Sequence, residues 1–391
     1  MNIQELESQH TSGLYAKRDV ALVRGEGALL WDSNGKQYID CDSGHGVANL
    51  GHCRPEIVKA ISEQAARLVT CFESYYNDQR AQLLEKLTAL APSLNRAYLC
   101  NSGTESVEAA IKLARFTTGR AKIIAAMRGF HGRTMGALSA TWNKNYRQPF
   151  EPLVPEFTHV AYNNVEALQQ AVDENTAAVL LEAVQGEGGI HVGSDEFMLA
   201  AQKLCHQNGA MLIIDEVQSG FARTGKMFAY QPIDGLVPDF LCVAKSIAGG
   251  VPMGATLIGP RVKELQPGLH SSTFGGNPLS CAASLAALEI FERENLAAQA
   301  AEKGEYFINR LRQIQSPLIR EVRGLGLMVG LELKQKIAPY IRALMDRGVL
   351  ALPSGMTVIR FLPPLVISHE QLALVAETIQ AVLNQPVKDD N

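Results

Sequence analysis

Five short apolar runs recur between residues 80 and 260, separated by helical patterns or turn residues. They are "AYLC" (97–100), "KIIAAM" (122–127), "AAVLLEAV" (177–184), "AMLIIDEV" (210–217) and "DFLCVA" (239–244). A strand with one wet face alternates apolar and polar residues, whereas a nearly continuous apolar run belongs to a strand covered on both faces. Between the runs, "TESVEAAIKLARFT" and "DEFMLAAQKLCHQNG" have the spacing of amphipathic helices. The pattern predicts an α/β fold, a mostly parallel sheet sandwiched by helices. Such sheets bind ligands just beyond the carboxyl ends of their strands. Residues that directly follow each run are therefore the first candidates for a site.

The two ends of the chain read differently. "GALLWDSNGKQYIDC" (27–41) predicts a hairpin that turns at Ser33, Asn34 and Gly35. Past Asn277, the helical "LSCAASLAALEIFEREN" and "AEKGEYFINRLRQI" lead into strand-like "EVRGLGLMVGLEL" and "VIRFLPPLVI". We expect a large domain over 60–280 and a smaller α+β domain assembled from 1–59 and 281–391. With 391 residues the chain is long enough for both. "RGLGLMVG" holds Gly324, Gly326 and Gly330 in the manner of a dinucleotide loop. Its spacing is wrong, however, and strand-like residues flank it on both sides, so it carries no nucleotide expectation.

Charge and cysteine content remove other classes. A net charge of −4 without a basic block argues against nucleic acid or an anionic membrane as partner. The seven cysteines are scattered and mostly embedded in apolar runs, which suits reduced core residues and neither a disulfide framework nor a metal site. No run reaches the ~18 apolar residues of a membrane span. The polar start "MNIQELESQHTSGLYAKRD" lacks the core of a signal peptide, so a cytoplasmic location is expected.

Two of the runs end in a charge. Lys245 follows "DFLCVA" and Asp215 ends "MLIID", although an unpaired charge beside a buried strand costs several kcal/mol. A third element, "LCNSGTESVEAAIKLAR", reads as strand, tight turn and helix. The free amides of Ser102, Gly103 and Thr104 would there form a phosphate cradle at a helix N-terminus. Each feature alone has a plain structural reading, an ion pair or an ordinary helix cap. Lysine, acid and cradle on one sheet edge together fit pyridoxal 5′-phosphate. Lys245 would hold the cofactor as a Schiff base, and Asp215 would keep the pyridine nitrogen protonated. Gln218 is expected to hydrogen-bond the ring's phenolic oxygen.

At this point the sequence resembles a known family over nearly its whole length, the class III pyridoxal-phosphate aminotransferases. The resemblance is carried by "NSGTESVEAAIKLAR", "MRGFHGRTMGALSAT", "LLEAVQGEGG", "LIIDEVQSGFARTGKMFA", "AKSIAGGVPMGA" and "SSTFGGNPLSC". It implies the fold-type I architecture and a homodimer with active sites at the subunit boundary. It further implies phosphate contacts from Gly103 and Thr104, and from Thr273 across the dimer. Phe130 and Val217 would lie on opposite faces of the ring. Ala183 and Ala248 depart from the family's usual proline and glycine, which puts only local loop geometry in question.

The resemblance also points to specificity residues. Guanidinium clamps a carboxylate through a planar bidentate pair. Arg360 would take the α-carboxylate of glutamate and Arg133 its side chain. An ω-amino donor would reverse, with its distant carboxylate on Arg133. Glu187 would then neutralise the vacated Arg360. This predicts an ω-aminotransferase with glutamate/2-oxoglutarate as one couple. Tyr15 is placed at the entrance. "MRGFHGRTMGALSATW", "REVRGLGLMVGLELK" and "VIRFLPPLVI" are most similar to two subgroups. One acts on acetylornithine, the other on aminoadipate semialdehyde carried by a small acidic amino-group carrier protein. The alternatives are ornithine or 4-aminobutyrate aminotransferases, and aminomutases or decarboxylases on the same scaffold.

Overall fold

All five apolar runs become strands of one seven-stranded sheet. A computed structural model describes residues 3–384. Across the sheet the order is Arg96–Cys100, Gly254–Ile258, Phe240–Val243, Met211–Asp215, Thr176–Glu182, Lys122–Ala126 and Phe157–Val160. Only Gly254–Ile258 runs antiparallel to its neighbours. That strand and the edge strand Phe157–Val160 were not expected from the sequence. "GATLI" opens with small residues, and "FTHV" is only partly buried.

Burial follows the two-residue period of a covered sheet. Val179, Leu181, Leu212 and Ile214 pack into one core, while Leu180 and Ile213 pack into another on the opposite face. Each fully buried aliphatic side chain contributes roughly 1.5–3 kcal/mol. The helix Gly103–Thr118 adds Val107, Ala110, Ile111 and Ala114 to the second core at helical spacing. Its start is capped by Ser102 and its end by Gly119 in the left-handed region.

Sequence-distant ends meet in a four-stranded sheet. Leu22–Glu26, Leu29–Asp32 and Gln37–Asp40 form an antiparallel meander, and Val349–Leu350 joins it parallel to Gln37–Asp40. A further sheet holds Ile319–Leu325, Met328–Leu333, Val358–Phe361 and Leu352–Ser354. "RGLGLMVG" is its hairpin: Gly326 turns at φ 55°, where a Cβ would lie 2.5 Å from the Thr224 backbone. "PLVI" is not the strand its apolar content suggested. Pro363 and Pro364 follow Val358–Phe361 and cannot donate to a ladder, and the chain runs on to the capping box of helix His369–Leu383.

All seven cysteines are unpaired, five of them buried. Among the described residues no cluster suits a metal ion, and no helix is long and apolar enough to cross a membrane.

Candidate active site

The parallel strands deliver their carboxyl ends to one cavity of about 460 Å³, a size usual for small-molecule sites. Asp215 and Glu182 are register partners at two of those ends. Lys245 begins the turn after Phe240–Val243 at φ 48°, an unusual conformation for a non-glycine residue. The turn is fixed from both sides: Ser246 donates to the Gly46 carbonyl at 3.0 Å, and Ser284 donates to that of Ile247 at 2.8 Å. Burial pushes the Lys245 amine down to about 8, with the Arg360 cation acting in the same direction and Glu187 opposing.

Asp215 does not pair with Lys245. Its Oδ1 accepts from the Val217 amide at 3.0 Å, and its Oδ2 lies 2.8 Å from His131 Nδ1. Burial lowers the imidazole's proton affinity, but the Asp215 hydrogen bond and the charges of Asp215 and Glu182 prevail and hold its pKa above the ordinary value. Glu182 accepts from the Phe130 and Gly186 amides at 2.9 and 3.0 Å. Burial raises it to about 7. Neither His131 nor Glu182 was picked out from the sequence. Glu182 had a usable signal, since like Asp215 it closes an apolar run.

On the next wall, Gly103 and Thr104 line the cavity at the start of the helix, where first-turn amides lack intrahelical acceptors. Gly103 is required here: a Cβ would sit 2.6 Å from Val217 Cγ1. Phe130 and Val217 line the same cavity. At Ala248 an alanine is tolerated, because the left-handed backbone after Lys245 falls on Gly249 and Gly250; Ala183 is buried directly after Thr176–Glu182.

Behind this floor lies Arg360, with its side chain 1% exposed. Its Nη1 meets Glu187 Oε1 at 2.7 Å and donates to Gln218 Oε1 at 3.0 Å. Gln218 lines the cavity; its Oε1 accepts from the guanidinium and its Nε2 donates to the His45 carbonyl at 3.4 Å. Gly186 makes room for it, since a Cβ there would fall 2.0 Å from Gln218 Oε1. Arg133 lines the cavity and stacks on Tyr146. Thr273 is exposed and Tyr15 is 77% exposed, and neither lines this cavity in the single chain.

Residues 14–383 match the family model described as aminotransferase class-III. The chain belongs to that family. It is 51% identical over 383 residues to the [LysW]-aminoadipate semialdehyde transaminase of Deinococcus radiodurans, covering 97% of this chain and 89% of that protein. It is 48% identical over 376 residues to the acetylornithine aminotransferase of Methanopyrus kandleri, covering 95% and 96%. Among solved structures, an ornithine aminotransferase from Toxoplasma gondii superposes with a TM-score of 0.93 at 33% identity, covering 97% of this chain and 93% of that one.

This class III aminotransferase is accordingly a pyridoxal-phosphate-dependent enzyme of fold type I. Its cavity suits that cofactor chemically. An amide cradle awaits a phosphate, a buried carboxylate on the floor matches a protonated ring nitrogen, and a lysine amine stands where an aldehyde would react.

Proposed function

We propose that this enzyme is an ω-aminotransferase exchanging an amino group between glutamate/2-oxoglutarate and a terminal amine/semialdehyde. The amine is N-acetylornithine or a lysine precursor borne by a small acidic carrier protein. One observation carries the reading: the 2.7 Å ion pair between Glu187 and the almost fully buried Arg360. A guanidinium left alone in such a place costs about 3–5 kcal/mol. A site that carries its own removable carboxylate partner can admit an α-carboxylate in one half-reaction and do without it in the other.

Lys245 and Asp215 would hold the cofactor, with Gly103 and Thr104 on its phosphate and Phe130 and Val217 flanking its ring. When bound, pyridoxal phosphate supplies an aldehyde for the amine and a ring that accepts the electron pair of a broken C–H bond. Lys245, freed from its tether, moves the proton as general base and then acid. An amine pKa near 8 suits both directions at neutral pH. Asp215 would turn its carboxylate to the ring nitrogen, with His131 behind it. Arg133 takes the distal carboxylate of either substrate, and Arg360 the α-carboxylate of glutamate.

The acidic carrier is favoured by a neighbouring cavity of about 560 Å³ that shares Phe130 and Glu187 with the first. Arg128 and Lys144 line it, and its acid, Glu187, is paired with Arg360. Relatives whose names include the carrier-linked substrate reach 51% and 44% identity.

A homodimer and the division into domains 60–280 and 1–59 with 281–391 belong to the same reading. Arg80 binds the carbonyls of Cys71, Tyr75 and Gly276, tying together two segments that expose Phe72, Tyr75, Tyr76 and Phe274. Thr273 lies on the second segment, where it would reach a partner's site.

A donor panel tests the substrate. N-acetylornithine, carrier-conjugated lysine, ornithine and 4-aminobutyrate would each be offered with 2-oxoglutarate, and glutamate formation followed. Reaction with the first two at the highest kcat/KM is expected; reaction with 4-aminobutyrate alone would overturn the assignment. Mixing the holoenzyme with glutamate alone should bleach its visible absorbance and release 2-oxoglutarate, which a mutase reading does not predict.

A further inference from the structure

We infer that Tyr146 is a positioning residue for the distal carboxylate, and that the face of its ring holds the Arg133 guanidinium in place for binding. The inference rests on the proposed role of Arg133. The Arg133 guanidinium carbon lies 3.6 Å from the Tyr146 ring centroid, a stacking distance, and 5.8 Å from that of Phe130. The two rings meet edge to face, 6.2 Å apart at 87°. Phe130 thereby buttresses the platform on which Arg133 rests.

The local fold explains why Tyr146 is there. Trp142 donates its backbone N–H to the Gly129 carbonyl at 2.9 Å, folding the segment after Thr141 back over the Phe130 loop. Asn143 then caps the short turn Lys144–Arg147, which presents Tyr146, half-buried, in the wall of the neighbouring cavity. Gly132 sets the other side. At φ 138° it passes so close to Thr104 that a Cβ would lie 2.3 Å from Thr104 Oγ1, and this turn brings Arg133 to the ring.

Arg133 itself is exposed, and among the described residues no carboxylate pairs with it. A free arginine on a surface samples many rotamers, and ordering it on binding costs affinity. Cation–π contact is strong enough to select one arrangement while leaving the guanidinium edge, with its hydrogen-bond donors, turned to a ligand. The partner implied is a planar carboxylate two or more carbons from the reacting amine carbon. Substrates without that group should not sense Tyr146.

The test uses purified holoenzyme as wild type, Tyr146→Leu, Tyr146→Phe and Arg133→Gln. Glutarate affinity is measured by calorimetry, and half-reactions are followed with N-acetylornithine and with L-alanine, whose one carboxylate goes to Arg360. Tyr146→Leu should weaken glutarate and raise the N-acetylornithine KM by roughly 3- to 30-fold, with kcat within about twofold. Tyr146→Phe should behave as wild type, and L-alanine should be unaffected by either change. Loss of affinity in Arg133→Gln but not in Tyr146→Leu overturns this inference and leaves the proposed function standing. No loss in Arg133→Gln removes the reading beneath it. An equal loss with glutarate and L-alanine in Tyr146→Leu also overturns it, because that would be general damage to the site.

Discussion

His131 Nδ1 lies 2.8 Å from Asp215 Oδ2 with both side chains closed to solvent, and the other imidazole nitrogen has no hydrogen-bond partner among the described residues. The contact orients the carboxylate that, on the proposed reading, would face the cofactor ring. Hydrogen bonds to charged groups contribute about 1.5–3 kcal/mol. His131→Phe, which keeps the bulk, should therefore weaken pyridoxal phosphate binding to the apoenzyme by roughly 10- to 100-fold. Cofactor titration of apo protein followed by absorbance measures this directly, and an unchanged dissociation constant would show that Asp215 holds its orientation unaided. The raised imidazole pKa adds a pH signature. A protonated partner stabilises the fold below the ordinary imidazole pKa, and that contribution disappears as pH climbs through the elevated folded value. The stability gap between wild-type and His131→Phe apoenzymes should narrow accordingly.

What the sequence exposed and what it hid divide along contact distance. Asp215 and Lys245 declare themselves locally, as charges ending buried runs, and Gly103 and Thr104 as a turn opening a helix. His131 has no such local mark, because its meaning comes from an acid 84 positions away. Gln218 lines the cavity as a ring contact would, but the bond its carbonyl oxygen accepts from Arg360, 142 positions along the chain, was equally hidden. The reversed strand Gly254–Ile258 was masked for another reason. Its opening glycine is set by close approach to Ser102, whose carbonyl oxygen would be 2.5 Å from a Cβ.

Replacing Glu187 should separate the two half-reactions. In Glu187→Ala, Arg360 loses its 2.7 Å partner but keeps Gln218 and, more weakly, the Pro353 carbonyl. Glutamate brings its own α-carboxylate and should react at near wild-type kcat/KM. N-acetylornithine, which leaves the guanidinium bare, should lose roughly 10- to 100-fold, part of the cost of an uncompensated buried charge. Single-turnover rates with each donor decide it, and equal losses in both directions would dissolve the switch.

Gly103→Ala should act on the cofactor and spare the fold. Its new methyl would start 2.6 Å from Val217 Cγ1 and must displace that side chain within the cavity that would hold the cofactor. Overpacking of this kind costs typically about 1–3 kcal/mol. We expect cofactor affinity to fall about 10-fold or more while the apoenzyme melting temperature drops by only a few degrees. Paired titration and melting curves distinguish this from global misfolding, in which both would fail together.

Lys245 offers a test that needs no substrate. In the apoenzyme, burial lowers its amine from 10.5 to about 8, so the unfolded chain binds the proton more tightly than the folded one. Folding therefore bears the full cost of a buried ammonium below pH 8, and that cost fades as pH rises from 8 to 10.5. Lys245→Met removes the charge and keeps the volume. At pH 7 the variant apoenzyme should be more stable than wild type by about 1–3 kcal/mol, since each tenfold loss of proton affinity on folding costs about 1.4 kcal/mol. The advantage should shrink steadily toward pH 10. Urea unfolding of both apo proteins across that range checks the slope as well as the sign. A gap that stayed constant would mean that the amine keeps its solution basicity, and with it the neutral-pH base on which the proton transfer depends would be lost.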